Sequence, residues 1–205
     1  SSSDIYFLKN GDLYSISTTN NDITFIGTAG PSNQGENILS GGKDISNNGN
    51  FHFHAKIGSR SYFSSNNGNS WVDKGELPSY TFTRNSFNCS YDNMNMVAIG
   101  GIETYRSLNT GNNWEKINNW WDYYGEPSEY LHADIPEINF IKNNNGLEMI
   151  YISTDGGLYD SNNQLQSVDN LSLNGLGVSQ YYSTYTNRSE PFQIYAGSQD
   201  QGFQR

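Results

Sequence analysis

Ser64-Ser65-Asn66-Asn67-Gly68-Asn69-Ser70-Trp71 and Ser107-Leu108-Asn109-Thr110-Gly111-Asn112-Asn113-Trp114 share one pattern, S-x-N-x-G-x-[S/N]-W, 43 residues apart. Each reads as a tight hairpin turn. The side-chain oxygen of Asn66 or Asn109 accepts backbone N–H groups within the turn, and Gly68 or Gly111 takes a positive φ without steric cost. Trp71 or Trp114 then covers the side of the sheet as the chain leaves. Together with the opening Ser64 and Ser107, these residues are expected to be structural rather than catalytic.

Outward from the turns, a longer unit appears. An apolar strand, a Gly-containing turn and a strand opening on an aromatic recur five times. They run from Ile5 through Gly11 to Tyr14, from Phe53 through Gly58 to Tyr62, and from Met96 through Gly100-Gly101 to Tyr105. The last two run from Met149 through Gly156-Gly157 to Tyr159 and from Gln193 through Gly202 to Phe203. The aromatics stand 48, 43, 54 and 44 residues apart, the spacing of a β-propeller with one four-stranded blade per repeat. The predicted fold is therefore all-β: a propeller of four-stranded antiparallel blades, with four to five blades' worth present as an incomplete segment of a larger propeller. With strands lettered A to D from the axis outwards, the blades are expected at 1–30 (partial), 38–77, 81–118, 132–173 and 176–205 (partial). The first lacks strand A and the fifth stops within strand C, so both ends are expected to meet the remaining blades of a larger propeller.

The two turns resemble the Asp-box (BNR-like repeat), S-x-D-x-G-x-T-W, of sialidase-, sortilin- and xyloglucanase-type β-propellers, with Asn in place of Asp. A third copy is reduced to Ser161, Asn163, Leu165 and Ser167, and a first starts no earlier than Ser17. The last 75 residues resemble a stretch of large secreted bacterial propellers of the sortilin and xyloglucanase-like superfamily. The residues that carry this are His132-Ala133-Asp134, Asp155-Gly156-Gly157-Leu158-Tyr159, Asn174-Gly175-Leu176, Gln180-Tyr181-Tyr182 and Gly197-Ser198-Gln199-Asp200-Gln201-Gly202. The resemblance implies a secreted or cell-surface protein, exported in many such cases by type IX secretion, and most proteins of this kind have no assigned activity.

Composition narrows the class. The chain has 205 residues, a net charge of -10 and 34% hydrophobic residues, yet 15 Tyr, 10 Phe and 4 Trp are far more than a disordered chain carries. Its lysines, Lys9, Lys43, Lys56, Lys74, Lys116 and Lys142, are dispersed, which argues against nucleic acid and anionic membrane surfaces as partners. No apolar run reaches the ~20 residues of a membrane span, and Ser1-Ser2-Ser3-Asp4 is unlike a signal peptide. The single Cys89 excludes an intrachain disulfide and a thiolate-rich zinc site, and reads as a small buried hydrophobe.

Propeller geometry sorts the remaining candidates. A–B and C–D turns share one face; B–C turns and D–A connections share the other, away from the Ser–Asn turns. On that second face fall Asp155 and Asp200 in B–C turns, His132 and Asp134 before a strand A, and the connection Trp120-Trp121-Asp122-Tyr123-Tyr124. The ligand-binding candidates are thus Trp120, Trp121, Tyr123, Tyr124, His132, Asp134, Asp155 and Asp200, and the ligand expected there is carbohydrate or protein. Three histidines without metal-ligand spacing imply no metal, and nothing implies a cofactor; His52 and His54 project from one side of a strand.

Glycoside hydrolysis needs two carboxyl groups about 5 to 9.5 Å apart, one with a raised pKa. Only Asp134, Asp155 and Asp200 are gathered on one face by the blade argument, so a hydrolase of xyloglucanase type would use them. A sialidase is disfavoured: that family uses an arginine triad, while Arg60 and Arg106 belong to strand C positions, and its Arg-Ile-Pro motif is absent. The expected function is a non-catalytic binding or scaffold module, with the hydrolase as alternative.

Overall fold

The structure, a computed structural model, describes residues 4–32, 35–44, 46, 48–176, 183–198 and 202–204. Its strands form five antiparallel sheets in chain order. The first sheet holds β1 (Asp4–Lys9), β2 (Asp12–Ser17) and β3 (Ile23–Thr28). The second holds β4 (Asn37–Gly42), β5 (His52–Ile57), β6 (Arg60–Ser64) and β7 (Val72–Glu76). The third holds β8 (Phe87–Cys89), β9 (Val97–Gly100), β10 (Thr104–Ser107) and β11 (Glu115–Lys116). The fourth holds β12 (Glu137–Lys142), β13 (Glu148–Thr154), β14 (Gly157–Ser161) and β15 (Asp169–Asn170), and the fifth β16 (Ser183–Thr186), β17 (Ile194–Ser198) and β18 (Gly202–Gln204). Every sheet is a meander in which each strand pairs only with its sequence neighbours, the connectivity of propeller blades. The fold is all-β, a partial β-propeller. No helix among the described residues is long and apolar enough to cross a membrane.

The core lies between blades rather than within them. All six residues of β5 are buried, because alternate side chains meet different neighbours. Ala55, Ile57 and Tyr62 cluster with Leu8 of the first sheet and with Ala29, just past its last strand. From the opposite face, the Nε2–H groups of His52 and His54 donate to the carbonyls of Ser90 and Met94 in the turn between β8 and β9, both at 2.9 Å. The third interface packs Met96 and Ala98 with Ile138, Ile152, Tyr159 and Leu165. Each repeat aromatic faces the same strand-B position, Tyr14 opposite Phe7, Tyr62 opposite Ala55, Tyr105 opposite Ile99 and Tyr159 opposite Ile152. Ala55, Ile99 and Ile152 are fully buried, whereas Ile5 and Phe25 on the matching face of the first sheet are 58% and 55% exposed. That face carries what a preceding blade covers elsewhere.

The C–D turns of the middle blades share one hydrogen-bond scheme. Ser64 Oγ donates to Asn66 Oδ1 and accepts from Gly68 N, while Asn66 Oδ1 also accepts from Ser70 N. Ser107, Asn109, Gly111 and Asn113 repeat it. So do Ser161, Asn163, Leu165 and Ser167, so the copy that looks decayed in sequence folds like the others. Two successive residues take positive φ in each turn, and in the third turn these are Gln164 at 60° and Leu165 at 62°. A Cβ on Gly68 would strike the Leu13 side chain, and one on Gly111 would meet Ser61. The pairing register puts Thr104 at the position equivalent to Leu13 and Ser61, and Leu165 is buried in the cluster of Met96, Ala98, Ile138, Ile152 and Tyr159.

Candidate functional site

The B–C turn of the third blade organises one face. Gly101 lies so close under the preceding connection that a Cβ would fall 2.6 Å from the Tyr80 carbonyl oxygen. From the other side, Ile135 N donates to Gly101 O at 2.8 Å and Asp134 N to Ile102 O at 3.1 Å. Two successive D–A connections are thereby clamped on Gly101 and Ile102.

The later connection carries a short 3-10 helix, Trp120–Tyr124. Asp122 Oδ2 accepts from Asn119 N at 2.9 Å, and Glu103 Oε1 accepts from Trp120 N at 3.3 Å. Asn118 holds the loop shut by exchanging hydrogen bonds with the Leu131 backbone. The tight helix turns its rings against one another edge to face: Trp120 and Trp121 lie 5.7 Å apart at 82°, and Tyr123 and Tyr124 5.4 Å apart at 78°. Tyr123 packs against the third interface and sits edge-on to His132 at 4.7 Å. Trp120, Trp121 and Tyr124 remain 41%, 54% and 65% exposed.

A groove of about 440 Å³ runs beside these rings, lined by Tyr80, Ile102, Glu103, Lys116, Trp120 and Trp121 among others. Its charges are internally paired. Lys116 Nζ lies 2.5 Å from Glu103 Oε2, and that carboxylate holds the Lys116 ammonium above its ordinary pKa. Tyr80 leaves over half its surface exposed.

The sequence-derived candidates separate into groups. Trp120, Trp121, Tyr123, Tyr124 and His132 come together. His132 is buried, with its Nδ1 3.1 Å from the Ala133 carbonyl oxygen and its side chain packed under Gly156. Asp134 is half-buried at a positive φ of 62° beside Ile102. Asp155 is half-buried in the β13–β14 turn, and Asp200 lies outside the described residues. A carboxyl that burial and the Asp169 charge do raise is Asp160, in the β14–β15 pair rather than in the groove. Arg60 is bound by Asp73 and Glu76 on β7, and Arg106 by Glu115 on β11 and by the Gln164 carbonyl. His52 and His54 lie between blades two and three. The sequence reading missed Tyr80, Ile102, Glu103 and Lys116. The sorting of turns by face reaches Tyr80, Ile102 and Glu103 when extended to the third blade; Lys116, on β11, carries no such signal.

No family model matches the chain, and no curated protein does. Among solved structures, the chain is similar to the GH74 xyloglucanase from Xanthomonas campestris, with TM-score 0.56 and 15% identity over 98% of this chain and 32% of that one. It is also similar to the GH74 enzyme of Niastella koreensis, with TM-score 0.50 and 15% identity over 96% of this chain and 31% of that one. A structure of YCF48 bound to a D1 peptide aligns with TM-score 0.41 at 11% identity, over 100% of this chain and 78% of that one. The chain spans about a third of the length of each of these two GH74 proteins, and at this identity the likeness is one of fold.

Proposed function

We propose that the chain is a non-catalytic carbohydrate-binding segment of a larger, exported β-propeller of the Asp-box type, whose ligand lies in the groove between Tyr80 and Trp121. One observation carries this reading: exposed Trp and Tyr rings line an open groove whose charged rim is neutralised by its own Lys116–Glu103 pair. Rings offer apolar faces to the C–H faces of a sugar. A paired Lys and Glu offer donors and acceptors to hydroxyls without favouring a charged ligand. The Asp-box reading is supported by the shared hydrogen-bond scheme of the three Ser–Asn turns. Export and surface display follow from the sequence resemblance and agree with the acidic, dispersed charge.

The hydrolase alternative rests on Asp134, Asp155 and Asp200, and the groove beside the rings instead holds Glu103, committed to Lys116 and the Trp120 N–H. A glycan array followed by calorimetry on the hits tests the reading. Micromolar or tighter binding to a neutral glycan, lost in W121A, is expected. An array without hits, or binding unchanged in W121A and W120A, overturns it.

A further inference from the structure

A second cavity of about 450 Å³ lies on the other side of Tyr80, lined by Lys56, Ser59, Leu77 and Pro78 together with Ser79 and Tyr80. Pro78, Ser79 and Tyr80 also line the aromatic groove, so a single chain segment divides two spaces of similar size on one face. At the far wall stands Lys56, whose side chain is 6% exposed. It is the one fully buried lysine among the described residues. Its ammonium donates to Glu36 Oε2, which also accepts from Thr81 Oγ1 at 2.6 Å.

Burying a lysine is costly unless its three donors are used. The buried Arg106 shows the structural solution, with donors spent on Glu115 and on the Gln164 carbonyl of the next blade. Lys56 has one acceptor among the described residues, and its side chain forms part of the cavity wall. Glu36 keeps Oε1 as an acceptor and its side chain is 34% exposed. Through their mutual hydrogen bond Lys56, in the cavity wall, and Glu36, beside it, combine donors with an acceptor, and the pair itself carries no net charge. That combination fits two adjacent hydroxyls, one accepting from Lys56 and one donating to Glu36. A phosphate or uronate would meet Glu36 as a like charge.

We propose that Lys56 and Glu36 form a second subsite, and that the ligand is a linear neutral glycan chain running from Trp121 over Tyr80 to Lys56. This rests on the carbohydrate reading above and adds to it a chain-length requirement and a polar anchor one blade away. Calorimetry on the intact chain tests it, with β-1,4-linked gluco-, manno- and xylo-oligosaccharides of two, four and six units as probes. For the chain type that binds, affinity is expected to rise about tenfold or more from two to six units. In the charge-neutral double variant K56M/E36Q the six-unit ligand falls to the affinity of the two-unit one, while two-unit binding stays unchanged. The single variant E36Q, at a side chain 34% exposed, is expected to weaken six-unit binding while leaving two-unit binding unchanged, so a folding defect in the double variant leaves the question answerable. Equal affinity for short and long chains in the unaltered protein overturns the second subsite and leaves the aromatic groove standing. Full length dependence surviving in both variants also overturns it. Binding of no oligosaccharide, or of a proline-rich peptide in their place, overturns the carbohydrate reading and the subsite together.

Discussion

The Nε2–H of His54 donates to the Met94 carbonyl 2.9 Å away, tying strand B of the second blade to the A–B turn of the third. A carbonyl only accepts, so the proton sits on Nε2. The Nδ1 atom, buried without a partner, is bare. His52 repeats the arrangement with Ser90. Both rings are thus held neutral in a buried interface. Burial pushes His54 down to about 3, with His52 and Lys74 adding to the effect and the Met94 carbonyl opposing it. Burial also lowers His52, against the opposing pull of the Ser90 carbonyl, Asp44, Glu148 and Asp92.

Stability should therefore fall on acidification. An unfolded histidine takes up its proton near pH 6.5, while the folded one resists until far lower pH. Between those limits the unfolded state binds more protons, so each histidine contributes stability that is full above about pH 6.5 and is lost at up to about 1.4 kcal/mol per pH unit below it. Chemical denaturation at pH 8, 6, 5 and 4 checks this. H54Q keeps an N–H donor at the position of Nε2 and removes the titration, so its stability should decline less steeply between pH 6.5 and 4. An unchanged slope would place the acid sensitivity elsewhere.

Leu165 provides a test of the turn scheme. It occupies a left-handed position at φ 62° and is 1% exposed in the third interface. L165A loses buried side chain at a cost of about 2 to 4 kcal/mol while keeping the backbone strain. L165G loses a little more side chain but relieves the strain, which for a non-Gly residue is about 1 kcal/mol or more. The two variants should therefore be equally destabilised, or the glycine variant less so, the reverse of the usual order. Thermal unfolding with L165G clearly below L165A would contradict the turn geometry.

Blade number and order were legible in the sequence because a repeat aromatic and a Gly turn recur with every blade. Of the residues that the sorting of loops by face assigned to one side, the aromatic loop and His132 are in contact through Tyr123 and Tyr124. The third turn was harder to read, since Leu165 stands where Gly is expected and is accommodated by burial with Met96 and Ala98 of the preceding blade. Lys56 and Glu36 were invisible for a related reason. On a strand that alternates inward and outward, Lys56 reads as a solvated lysine, yet packing of two blades buries both faces of β5. The roles of the aromatic loop residues likewise depend on which ring the short helix turns inward, a matter of contact rather than pattern.

That division among the rings separates binding from stability. Trp121 and Tyr124 are more than half exposed, and Tyr123 packs against the third interface and His132. W121A and Y124A should unfold at nearly the temperature of the unaltered protein, and W121A, whose ring lines the groove, should bind glycan at least about tenfold more weakly. Y123A should lose roughly 2 kcal/mol or more of stability, because a packed aromatic is removed. Differential scanning fluorimetry beside calorimetry reads both properties. If W121A proves as destabilised as Y123A, the exposed ring is part of the core and the groove is misassigned.

Gly101 makes the most specific link between a single residue and the groove. Its φ is not in the left-handed region, so an alanine there carries no backbone strain; the difficulty is contact. The added methyl would lie 2.6 Å from Tyr80 O and closer still to Ser79 Oγ. The serine hydroxyl can rotate, but the Tyr80 carbonyl is backbone and must move. Since Pro78, Ser79 and Tyr80 divide the two cavities, that movement shifts the shared wall of both. G101A should therefore destabilise the chain by about 1 to 3 kcal/mol, as overpacking does, and weaken long oligosaccharides more than short ones. G146A, at a glycine with nothing within 4 Å but with φ 78°, costs a comparable amount through strain alone and should leave binding untouched. Equal binding by the two variants, measured well below their unfolding temperatures, would show that the Tyr80 segment does not set the shape of the groove.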